Sequence, residues 1–107
     1  MAEEKVVRAV KLLVEELERM GIVVEAAYLF GSWARGDWLV DSDVDVVIVS
    51  PSVRGMPWLK RLELVAKAEA RLDLPLSLDV LPYTPEEVIE AKSAVLRDAM
   101  KYWKRIV

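Results

Sequence analysis

The chain is 107 residues long, 54% hydrophobic and 31% charged, a balance that fits one packed domain over 1–107 and excludes a disordered polypeptide. Fifteen Lys and Arg against eighteen Asp and Glu leave a net charge of -3, so the surface lacks the basic surplus on which general nucleic-acid binding rests. Cys and His are both absent, which removes disulfides, thiol nucleophiles, Ser-His and Cys-His machinery and Cys-type zinc sites, and leaves acid, base and metal chemistry to carboxylates.

In chain order, Val6, Val7, Val10, Leu13, Val14, Leu17 and Met20 fall at helical spacing, predicting an amphipathic helix over Glu3 to Met20 with Gly21 as its stop. Glu25 to Phe30, β-branched and aromatic, reads as the first strand and ends at Gly31-Ser32. Residues 31–41 hold two glycines and are expected to form a turn, with one helical turn over Ser32 to Gly36. The apolar run Val44 to Ser50 is the second strand, buried on both faces over its latter half. After a loop, Trp58 to Leu72 regains helical spacing as a crossover helix. Leu76 to Leu81 is a third strand, opened by Pro75. Thr84-Pro85-Glu86-Glu87 is a capping box with proline at the first helical position, and it begins a last helix running almost to the end. Lys60, Arg61, Lys101, Lys104 and Arg105 are expected on solvated helix faces, and Trp103 in a core or an interface. The order predicts a small α/β (mixed α+β) domain with about three strands flanked by helices.

The acids carry the chemistry. Asp43 and Asp45 are two apart on a strand, so their carboxylates share a face, with roughly 6–7 Å between the Cα atoms. Two acids aimed together repel unless they are solvated or a cation lies between them, and hard oxygen donors select Mg²⁺ or Mn²⁺. Asp79, a third acid inside an apolar strand, is costly to bury without a partner or a metal. If the second and third strands are neighbours, the three carboxylates converge in the layout that holds two metal ions about 3.5–4 Å apart for phosphoryl or nucleotidyl displacement. Gly31-Ser32, at the end of a strand, offers close backbone approach, amide donors and a hydroxyl to a triphosphate, and Arg35 offers positive charge.

The spacing of Gly31-Ser32 with Asp43-Val44-Asp45 resembles the signature of the polymerase-β-like nucleotidyltransferases. The fuller strings Gly31-Ser32-Trp33-Ala34-Arg35-Gly36 and Ser42-Asp43-Val44-Asp45-Val46-Val47-Ile48-Val49, with a late Leu78-Asp79-Val80, resemble the minimal nucleotidyltransferases of prokaryotes over residues 25–82. The resemblance implies that fold, two Mg²⁺ ions (or Mn²⁺) on Asp43, Asp45 and Asp79, and a triphosphate, ATP by preference, on Gly31 and Ser32. It also implies pairing with a helical HEPN-domain protein in a toxin-antitoxin system, in some cases through AMP transfer to that partner.

Other readings fit less of the chain. An EF-hand loop starting at Asp41 needs Gly and Glu where Val46 and Ser52 stand, and a Walker loop needs a Lys-Ser/Thr pair after the glycines. A sugar transferase with a DxD motif calls for more chain than this. Two further expectations stand beside catalysis by this motif. One is a module without catalysis that binds a nucleotide or neutralises a helical partner. The other, an RNA-directed terminal transferase, sits poorly with the acidic charge. Trp33 and Trp38, flanking the glycine turn, are candidates for stacking on a base or covering a sheet edge. No apolar run approaches the ~18–20 residues of a membrane span, so the expected location is cytoplasmic, with an oligomer allowed. Asn and Gln are missing altogether, which suggests a thermophilic source.

Overall fold

A computed structural model of the chain describes residues 2–31, 44–74, 76–91 and 93–107. Helix α1 spans Ala2–Arg19, and Gly21 follows with φ 89°, a conformation that costs glycine little and turns the chain towards the sheet. Strand β1 is Ala26–Phe30 and β2 is Val44–Val49. A 3₁₀ turn at Pro51–Val53, capped by the Ser50 hydroxyl, leads to α2, Trp58–Ala70. Then come β3 (Leu78–Tyr83), α3 (Pro85–Glu90), α4 (Ala94–Tyr102) and a two-residue β4 (Lys104–Arg105).

The strands form one mixed sheet in the order β3-β2-β1-β4, with β1 antiparallel to both its neighbours and β2 parallel to β3. Strand alternation divides the core in two. On one face Ala27, Leu29, Val44, Val46, Ile48, Leu78 and Val80 pack with Val6, Val10, Leu13 and Leu17 of α1 and with Val65 and Ala68 of α2. On the other, Ala26, Phe30, Val47, Val49 and Tyr83 pack with Leu96 and Ala99 of α4. Both faces of β2 are therefore covered beyond Asp45, as its continuous apolar run requires.

The structure departs from the sequence-based elements in four places. β3 starts two residues later than expected, because the Ser77 carbonyl is taken by the Val44 amide as the lead-in to the strand. It then runs on through Pro82, which an edge strand tolerates. The last helix is two helices: Ala91 adopts a left-handed φ of 48°, and the Ser93 hydroxyl caps a new start by accepting from the Leu96 amide at 3.0 Å. A fourth strand, β4, pairs Lys104 with Leu29 and Arg105 with Tyr28. Finally, Arg61 is not on a solvated face. It is buried in a bidentate pair with Glu87 at 2.6 and 3.3 Å, and it also donates to the carbonyls of Met56 and Pro82.

Candidate active site

The site lies at one end of the sheet, where β1 finishes and β2 and β3 begin. Phe30 of β1 stands opposite Asp45 of β2, and Asp45 stands opposite Asp79 of β3, so the three form one row across the α4-covered face. Neighbouring strands are about 4.8 Å apart, so the two carboxylates leave the backbone side by side and point the same way. Like charges placed directly opposite each other are unfavourable. Asp45 is half-buried and Asp79, on the edge strand, is exposed. α4 packs on this face through Leu96 and Ala99.

Gly31 follows β1 with φ 68°, and its Cα abuts the Asp45 side chain. A Cβ there would run into the Asp45 carboxylate, meeting Cγ at 3.2 Å and Cβ at 3.5 Å. Both the left-handed conformation and the missing side chain are needed for the turn to close over that acid. A third acid comes from α2. The half-buried Glu69 carboxyl is pushed up from its ordinary value, first by burial and second by the negative charge of Asp79.

Of the residues singled out by sequence, Gly31, Asp45 and Asp79 are thus brought together. Ser32, Arg35 and Asp43, with Trp33 and Trp38, lie outside the described residues. Among the described residues no cluster of three metal-ligating side chains occurs. Glu69 escaped the sequence reading because nothing in its local helical pattern separates it from a solvated acid; only the crossover, which returns the end of α2 to the start of β3, brings it near Asp79.

The donor set fits a hard divalent cation. Two carboxylates are forced side by side, Glu69 already feels the charge of Asp79, and a cation relieves both strains while accepting oxygen ligands. The Arg61–Glu87 pair is not part of this arrangement. It sits where α2 and α3 start, with Arg61 5.8 Å from the Trp58 ring, and Glu87 also closes the capping box with Thr84.

Comparison with known proteins bears on the family and the fold. The family described as "Nucleotidyltransferase domain" matches residues 10–105. A "Putative protein adenylyltransferase" of Methanocaldococcus jannaschii is 36% identical over 67 residues, which is 63% of this chain and 65% of the relative, so the match spans less than two thirds of that protein. Among solved structures, a "putative nucleotidyltransferase" from Sulfolobus solfataricus shares the fold with a TM-score of 0.68 at 23% identity, over 97% of this chain and 83% of that one. A "toxin-antitoxin with AMP-PNP" shares it with a TM-score of 0.59, also at 23% identity, over 91% of this chain and 71% of that one. By fold and by the span of the family match, the chain belongs to the nucleotidyltransferase-domain family.

Proposed function

We propose that the chain transfers a nucleoside monophosphate, AMP from ATP, to a hydroxyl of a partner protein and releases pyrophosphate. The observation that carries this reading is the cross-strand row of Asp45 and Asp79 beside the Gly31 turn. Asp43, Asp45 and Asp79 would hold two Mg²⁺ ions, which when bound neutralise triphosphate charge and polarise the reacting phosphorus. Gly31 and Ser32 present backbone amides and a hydroxyl to the phosphates, and Arg35 offsets their charge. Asp79, exposed on the edge strand, is open to an incoming hydroxyl and takes up its proton as it attacks.

Adenylyl transfer to a protein is supported by the name of the Methanocaldococcus relative, and a toxin-antitoxin pairing by the name of one structural neighbour. The partner fitting both is a helical HEPN-type protein. Labelled ATP should mark such a co-encoded partner with the wild-type chain and fail to mark it with Asp43→Ala or Asp45→Ala. Equal labelling by all three would remove the mechanism.

A second reading, neutralisation by binding alone, draws on Ile89 of α3, an aliphatic side chain left 83% exposed. Neutralisation that survives loss of Asp43, Asp45 and Asp79 together would favour it.

A further inference from the structure

The carboxylate row accounts for phosphates and metal, but none of the residues gathered there recognises a base. Phe30, in the row itself, is buried, and an exposed aromatic candidate among the described residues is at the end of α4. This helix lies on the same face of the sheet as Asp45 and Asp79, with Leu96 and Ala99 turned inward. It starts beside Tyr83, whose hydroxyl lies 3.1 Å from the Ser93 hydroxyl, at the far end of the strands. It finishes at Trp103, which stacks on Tyr28 with ring centroids 3.9 Å apart and planes within 11°. Trp103 immediately precedes the Lys104 that pairs with Leu29, next to Phe30 in β1, so α4 ends near the level of the row Phe30–Asp45–Asp79.

One flank of α4 carries Arg97, which donates back to the Ala91 carbonyl at the end of α3 at 3.0 Å. α3 covers the rows remote from the acids, with Val88 lining one hollow together with Ala26 and Val49. At 100° per residue, Val95 and Tyr102 occupy the opposite flank, the one turned to the carboxylate end. Tyr102 is 49% exposed there, two residues before β4, which lies two interstrand spacings, roughly 9–10 Å, from the strand that carries Asp45. A nucleotide whose phosphates lie at Gly31 and Asp45 spans that distance with its sugar and base.

On the nucleotidyltransferase reading above, we infer that Tyr102 is the base-side wall of the nucleotide site, stacking its ring on the purine of ATP. Trp103, wedged on Tyr28, fixes the helix end so that the Tyr102 ring is presented without reordering the backbone. A π-face contact of this kind discriminates a nucleotide from bare triphosphate and is indifferent to the phenol hydroxyl.

Isothermal titration with Mg²⁺ and either ATP or inorganic tripolyphosphate separates these contributions. Tyr102→Ala should weaken ATP binding about 5- to 100-fold and leave tripolyphosphate binding unchanged. Tyr102→Phe should bind both as the wild type does. Unchanged tripolyphosphate affinity also reports that the variant is folded. ATP affinity unchanged in Tyr102→Ala, or equal losses for both ligands, would overturn the base wall and leave the carboxylate site standing. A wild-type chain that binds neither ligand would overturn the nucleotidyltransferase reading, and the base wall with it.

Discussion

At the scale of single residues, the site is held at a cost to stability. Asp45 and Asp79 are directly opposed on adjacent strands, and Glu69 adds a third negative charge beside Asp79. Asp79→Asn is therefore expected to raise stability by about 0.2–1 kcal/mol in urea unfolding without divalent cations. The same change should lower nucleotidyl transfer about 100-fold or more and abolish the Mg²⁺-dependent rise in melting temperature that the wild type should show. Gly31→Ala should shift stability the other way while also lowering transfer. The left-handed φ of 68° costs an alanine about 1–2 kcal/mol, and the new methyl displaces the Asp45 carboxylate, so stability and transfer fall together.

Among the elements, the Arg61–Glu87 pair ties the start of α2 to the start of α3 across the end of β3. Burial by itself raises the Glu87 carboxyl, but the hydrogen bond from Arg61, the Thr84 amide and the Arg61 charge together bring it below its ordinary value of 4.5. A carboxyl lowered in the folded state lends stability above its unfolded value, and that stability is lost as pH falls through the folded one. Glu87→Gln should therefore cost about 2–4 kcal/mol at pH 7, with the difference from wild type shrinking below about pH 4.5 in urea titrations. The Thr84–Glu87 capping box, α1 and β2 were legible from local chemistry: a cap motif, a 3.6-residue period and a continuous apolar run. The break at Ala91 was hidden because Val88, Ala91, Val95 and Ala99 keep helical spacing straight through it. β4 was hidden because two basic residues at a helix end carry no strand signal, and their pairing with β1 is set only by the finished sheet. In the site, Asp45 and Asp79 could be read as two acids inside apolar strands, but Glu69 and Tyr102 are brought there by the packing of whole helices.

For the whole molecule, the consequence lies in the sheet dividing the core into two unequal layers. Among the described residues, α1 and α2 share fifteen buried residues with one face, whereas α3 and α4 lean on a cluster of seven on the other. The smaller cluster offers less apolar area to hold its helices, so sub-global opening should detach α3 and α4 before the rest. Native-state hydrogen exchange should find α4 amides exchanging through openings of lower free energy than those of α1 and β2; uniform protection would show a single cooperative unit. Since Asp45 and Asp79 are rooted in β2 and β3 while Tyr102 rides on α4, such opening would uncouple the two ends of a bound nucleotide. Release of the AMP-bearing product could then proceed by peeling one layer away while the carboxylates remain in place.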